Sequence, residues 1–276
     1  MGIVTSLPCC AERSRGSQPL QSNKTVSSKV SNIINKLGTL DEFTETVRQL
    51  NSTLTLTQPN TAFKHPWAKT PVSVGAQGAV ILAARIRNAK DKAIRAQYWK
   101  AGCLTPLINM LISGTEEDKV HAATMALLAL TDDPDTPEIA EEIVQLDGLA
   151  ILVKWMRLTS AAEGVRMSCA RIARNVIANN SQYRSEFVRL GGLKALVSLL
   201  DFDRSRTADE QYMQWILERV NDVRDYLDET NGRIDQSVGA KLVSGGVRGK
   251  LEKLKSSGDN DIVEDSMDIL NLIEHL

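Results

Sequence analysis

Eight residues have types and spacings that could do chemistry, and the chemistry is attachment rather than catalysis. Met1-Gly2-Ile3-Val4-Thr5-Ser6 fits the N-myristoylation pattern: removal of Met1 exposes Gly2, and Ser6 stands at the hydroxyl position. The pattern needs glycine because the acyl group goes onto a free, unhindered α-amine. Cys9 and Cys10 then offer two adjacent thiols for palmitoylation, and Arg13, Arg15, Lys24 and Lys29 follow against a single acid, Glu12. One myristoyl chain binds a membrane only marginally, at K on the order of 10⁴ M⁻¹, so residence requires a second signal of this kind. The other five residues are Arg85, Asn88, Arg171, Asn175 and Asn179. Arg171, Asn175 and Asn179 recur every fourth residue, which places them on one stripe of a helix.

Catalytic parts are missing. The only histidines are His65, His121 and His275, and no serine, cysteine or carboxylate stands in a pattern that would pair with them. No phosphate-binding or dinucleotide-binding glycine motif is present, and no metal-ligand spacing. Asp132, Asp133 and Asp135 surround Pro134 but lack the glycine and distal glutamate of a calcium loop, so they read as a solvated turn. The expectation is a protein that is not an enzyme and uses no metal or cofactor and no small-molecule substrate.

The chain has 276 residues, 42% hydrophobic and 24% charged, with a formal charge of −1. That balance offers no global field for nucleic acid. No apolar run approaches the ~20 residues of a membrane-spanning helix. The cysteines form no disulfide framework: Cys103 and Cys169 fall inside apolar helical patterns.

The elements that must position the stripe announce themselves by repetition. Gly191-Gly192-Leu193-Lys194-Ala195-Leu196-Val197-Ser198-Leu199-Leu200 shares its apolar skeleton with segments beginning at Gly102, Asp147 and Gly245. Equivalent apolar residues are 45 (Leu104 to Leu149), 44 (Leu149 to Leu193) and 54 (Leu193 to Val247) positions apart. Purely helical units of about 40–47 residues mark an armadillo or HEAT solenoid. Each unit's apolar face is buried only by stacking on the next. Residues 1–25 lack helical periodicity and read as a disordered tail carrying the anchor. Residues 26–74 read as N-terminal capping helices and a connector, with Trp67 as an apolar plug, and residues 75–276 as the solenoid. The long fourth unit places a charged, loop-like insertion at Asp201 to Glu210 before a lengthened helix, Gln211 to Leu227.

The run from Ala170 to Asn180 resembles the third helix of an armadillo repeat, with Asn175 at the family's groove-facing asparagine. Asn88 and Asn271 fall at equivalent places, and Thr131 replaces asparagine in the second unit. The resemblance implies an all-α, right-handed α-solenoid whose third helices line a concave groove. Arg85, Asn88, Arg171, Asn175 and Asn179 would then belong to a partner-binding groove of some cationic character, suited to extended acidic or polar segments. An acylated N-terminus followed only by armadillo units is similar to the apicomplexan members built of armadillo repeats only, and to the longer acylated vacuolar armadillo protein of yeast. That similarity implies anchoring on the cytosolic face of an organelle, the rhoptry in apicomplexans. It also implies recruitment of a myosin motor and adaptor proteins for organelle positioning. The alternative is a soluble armadillo peptide-binding protein, either a nuclear transport receptor or a cytoskeletal assembly factor. The receptor's ladder of tryptophan and asparagine is not matched, because Arg171 stands four residues before Asn175.

Overall fold

A computed structural model describes residues 46–47, 74–89, 93–114, 117–132, 136–178, 180–229, 233–234 and 236–274. The expected acylated tail and nearly all of the expected cap and connector lie outside the described residues. Thr46 and Val47, within the expected cap, are helical and buried.

Each unit is a short first helix, a second helix after a sharp turn, and a long third helix. The helices are α1 (Val74–Asn88), α2 (Ala93–Lys100), α3 (Leu104–Ser113), α4 (Glu117–Thr131), α5 (Pro137–Gln145), α6 (Gly148–Arg157) and α7 (Glu163–Ile177). They continue as α8 (Ser181–Arg189), α9 (Gly192–Ser198), α10 (Glu210–Leu227), α11 (Gln236–Ser244), α12 (Val247–Leu254) and α13 (Asn260–Glu274). Between α10 and α11 the backbone forms a two-residue antiparallel ribbon, Asp228–Glu229 against Arg233–Ile234, in a stretch whose sequence shows no strand pattern.

The repeating turn before each second helix separates two jobs that a glycine pair can do. The first position must adopt a left-handed backbone: Gly102, Gly191 and Gly246 do so, and in the third unit Asp147 takes that conformation at φ 57°. Aspartate is among the few side chains that tolerate it. In two of the four turns the next position must be glycine as well, whereas Cys103 and Val247 fill it in the others. A Cβ on Gly192 would lie 2.3–2.4 Å from the Phe187 ring, and one on Gly148 would lie 2.6 Å from the Ile143 carbonyl oxygen.

Third helices pack on one another along the array. α1 lies directly against α4, and α4 against α7. Small residues permit this approach: Ala76, Ala79 and Ala83 on α1, and Ala122, Ala123, Ala126 and Ala129 on α4, are all fully or almost fully buried. Second helices stack in the same order, α3 on α6 and α6 on α9. Two tryptophans sew successive units together. Trp99 donates to Glu142 Oε2 at 2.6 Å, and Trp155 donates to the Leu111 carbonyl at 3.0 Å.

The run of closely packed third helices is interrupted between α7 and α10, which do not lie against each other as their neighbours do, whereas α10 and α13 do. α10, which follows the insertion, buries the bulky Arg219 and Asp222, whereas α1 and α4 pack through buried alanines. That insertion is an ordered turn, not a bare loop. Tyr212 accepts from the Asp203 amide at 2.7 Å and donates to the Asp201 carbonyl at 3.0 Å. Phe202 stacks on its ring, and the Arg206 guanidinium lies 4.0 Å from its centroid. Arg206 also bridges to Glu163 at the start of α7 at 2.5 Å.

Candidate partner-binding face

The third-helix face is built on apolar undersides. α7 buries Val165, Cys169, Ile172, Ala173, Val176 and Ile177 and turns Arg171 and Arg174 outward. Asn175 lies at the border of the two faces and reaches back to α4: its amide donates to Thr131 Oγ1 at 3.5 Å and to Asp132 Oδ1 at 3.4 Å. Arg171 Nη2 stands 3.5 Å from the same Asp132 oxygen. The predicted stripe therefore exists at Arg171 and Asn175, gathered by an aspartate from the neighbouring unit. Asn179 lies outside the described residues. Arg85 and Asn88 are on α1, with α4 between them and α7. Asn88 is exposed at the end of its helix, and the half-buried Arg85 donates to the Tyr98 hydroxyl at 3.3 Å.

The cationic character suggested by the spacing is cancelled by acids from other helices. Arg171 also faces Glu218 Oε1 on α10 at 4.0 Å. Arg174 faces Asp222 Oδ1 at 3.4 Å and Asp225 Oδ2 at 3.7 Å. Between α7 and α10, ion pairs thus stand where alanine packing stands elsewhere. Behind them Arg219 and Asp222, each 1% exposed, approach to 2.7 Å. Their approach is off the hydrogen-bond line, and both Asp222 oxygens lack a hydrogen-bond partner. Burial pushes the Asp222 carboxyl up to about 6, against the pull of Arg219 and Arg174, and the same burial lowers the Arg219 guanidinium.

The sequence reading gave Asp222 no role, since it read Gln211 to Leu227 for its apolar spacing alone. Its signal was available in the pairing logic: Glu218 and Asp222 are four apart on α10, as Arg171 and Asn175 are on α7.

The sign of the resulting pH effect follows from the direction of the shift. Between the ordinary carboxylate range and about 6, the folded chain holds a proton on Asp222 that the unfolded chain has released. This group's contribution to stability therefore falls as pH rises through that window. Urea unfolding of the wild type beside Asp222→Asn should show the wild type losing stability relative to the variant from pH 4 to 6.5. A difference that is flat or grows in favour of the wild type would contradict this.

A cleft of ≈ 300 Å³ opens at this seam, walled by Arg174, Ile177, Arg184, Asp222, Asp225 and Tyr226. A smaller cavity of ≈ 160 Å³ lies beside Asn175. Neither contains a candidate nucleophile. The thiols of Cys103 and Cys169 are buried, and that burial raises both, Cys103 to about 12. Among the described residues no three His, Cys, Asp or Glu side chains are grouped to hold a metal. Among them also, no helix is long and apolar enough to cross a membrane.

No protein-family model and no curated protein matches the sequence. The fold is matched by solved structures. ARO, the armadillo repeats only protein from Plasmodium falciparum, superposes with a TM-score of 0.75 at 22% identity, over 92% of this chain and 100% of that one. A designed armadillo repeat protein matches with a TM-score of 0.62 at 17% identity, over 92% of this chain and 96% of its own. A second, solved in complex with the peptide (KR)4, also gives 0.62 at 17%, over 91% and 95%. The chain folds as an armadillo-repeat solenoid.

Proposed function

We propose that this chain is a membrane-anchored armadillo adaptor. Acyl groups on Gly2 and on Cys9 and Cys10 hold it to the cytosolic face of an organelle, and its third-helix face recruits protein partners. A myosin motor is one such partner, so that the organelle is positioned along the cytoskeleton. In an apicomplexan cell the organelle would be the rhoptry.

The observation that carries this reading is a polar third-helix face, centred on Arg171, Asn175 and the α7–α10 seam, in a chain that superposes on ARO over 92% of its length. The acylation motif supports the anchoring half. Two acyl chains convert reversible contact into residence, at about 0.8 kcal/mol per buried methylene. The groove half follows from the general physics of solenoids, which offer extended concave surfaces to extended segments. A designed relative of the same fold holds a peptide.

Proximity labelling from the full-length chain in cells tests recruitment. The wild type should label a defined set of membrane-bound partners, a myosin heavy chain among them. Arg171→Glu combined with Asn175→Ala, two half-exposed positions, should reduce that labelling about tenfold, the order expected from losing a charged contact and a hydrogen bond. Membrane residence should be unchanged, and the variant, though it loses its contacts with Thr131, Asp132 and Glu218, should stay folded at the labelling temperature. Undiminished labelling by the variant would remove the third-helix face from the reading.

A further inference from the structure

The second helices α3, α6, α9 and α12 form the layer on which the third helices rest, and their charge is one-sided. They carry six basic residues, Lys154, Arg157, Lys194, Arg248, Lys250 and Lys253, against one acid, Glu252. That acid is taken by Lys255 at 3.1 Å. Among the third helices α10 and α13 have the opposite balance, nine acids against two arginines. The formal charge of −1 therefore conceals regions of opposite sign.

Little in the fold compensates the basic layer. Lys250 pairs with Asp201. Among the described residues, no carboxylate stands within ion-pair reach of Lys154, Arg157, Lys194 or Lys253, all of them exposed. The cations are also continuous from helix to helix. Arg157 Nη1 reaches the turn before α9, 4.0 Å from where a Cβ on Gly191 would stand. Arg166, in the first turn of α7, donates to the Met156 carbonyl at the end of α6 at 3.0 Å. It links α6 to α12: burial, then the charges of Lys253 and Arg166, lower the Lys250 ammonium. Like charges gathered in this way repel one another in the fold and concentrate an anionic partner. The same ridge exposes apolar groups. Ile112, near the end of α3, is 55% exposed, and Leu158, directly after α6, is 37% exposed. Their helix ends are neighbours, since the Trp155 indole donates to the Leu111 carbonyl. A nucleic acid would answer the charges and leave Ile112 and Leu158 in water. An anionic bilayer answers both, because apolar groups enter the headgroup boundary while lysine and arginine meet the headgroups.

We propose that the second-helix ridge lies against an anionic lipid surface, with Lys154, Arg157, Lys194 and Lys253 on the headgroups and Ile112 and Leu158 at the acyl boundary. The third-helix face is then turned away from the bilayer, toward the partners it recruits. The inference rests on the adaptor reading in that it orients the anchored solenoid, and it assigns the solenoid a lipid contact separate from the acyl chains.

The test is sedimentation of the full-length chain, made unable to carry acyl groups by Gly2→Ala, Cys9→Ala and Cys10→Ala, with vesicles of two compositions. It should pellet with phosphatidylcholine containing about 30% phosphatidylserine, not with phosphatidylcholine alone, and rising salt should release it. Adding Lys154→Gln, Arg157→Gln, Lys194→Gln and Lys253→Gln together should weaken binding on the order of 100-fold, since each basic residue near such a surface contributes about fivefold. Ile112→Ser with Leu158→Ser should weaken it several-fold at every salt concentration. All six positions are exposed, and melting temperatures verify the fold of each variant. Arg13, Arg15, Lys24 and Lys29 are intact throughout, so a fourfold variant that binds as its parent does would assign the lipid contact to those residues and overturn the proposal. So would equal binding to both compositions. Binding to neither would also overturn it and leave the ridge to an acidic protein. None of these outcomes touches acylation of the natural chain, so the two readings fall separately.

Discussion

Arg219→Ala is expected to lower the free energy of unfolding by about 3–5 kcal/mol, the usual cost of stripping one partner from a buried ion pair. Arg219 is 1% exposed and lies 2.7 Å from Asp222, which is equally buried. Its other acid, Glu218, approaches to 3.3 Å. Removing the guanidinium leaves Asp222 with the half-exposed Arg174 as its counter-charge, and it leaves a void among packed helices. The companion experiment separates charge from packing. Arg219→Met combined with Asp222→Leu removes both charges and keeps most of the volume, so it should return stability to within about 1 kcal/mol of the wild type or above it. Urea unfolding of the three proteins measures this. A double variant as unstable as the single one would mean that shape, not charge compensation, governs the seam.

Gly192→Ala is expected to cost about 3 kcal/mol, at the upper end of over-packing penalties, because the added methyl has no direction in which to be relieved. Its Cβ would lie 2.3–2.4 Å from three atoms of the Phe187 ring. That ring is 1% exposed and stacked on Tyr226, which itself carries Arg184. The disturbance therefore runs from a turn between α8 and α9 into the α7–α10 cleft. Gly246→Ala makes the contrast: a Cβ there meets nothing within 4 Å, so its cost is only that of a left-handed backbone, about 1–2 kcal/mol. Thermal unfolding that ranks Gly246→Ala as the more damaging of the two would contradict the close-packing account of Gly192.

Much of the solenoid was legible because its periodicity is written in residues with strong local rules. The left-handed turn demands glycine or a tolerant substitute, and α7 alternates buried aliphatics with exposed arginines at helical spacing. The third unit's turn shows the limit of that legibility. Asp147-Gly148 reads as one glycine short of its neighbours, yet Asp147 supplies the left-handed turn and Gly148 the close approach to Ile143. The seam was less legible. Arg171 and Arg174 look like free cations along their own helix, and the acids that neutralise them come from the residue after α4, 39 positions earlier, and from α10, 47 or more positions later. The ordering of Asp201 to Asp209 depends on Tyr212 and Glu163, one beyond the segment and one well before it, so its charged composition read as a loop.

The measurement that bears most directly on the central claim is membrane fractionation of the full-length chain beside Gly2→Ala and a Cys9→Ala/Cys10→Ala double variant, with acyl labelling of each. The adaptor account predicts that the wild type pellets with membranes and carries both myristate and palmitate. It predicts that Gly2→Ala is soluble and unlabelled, and that the cysteine variant keeps myristate but is released, since a single chain holds only marginally. A wild type that is soluble and unlabelled would contradict the account and leave a soluble armadillo peptide-binding protein in its place.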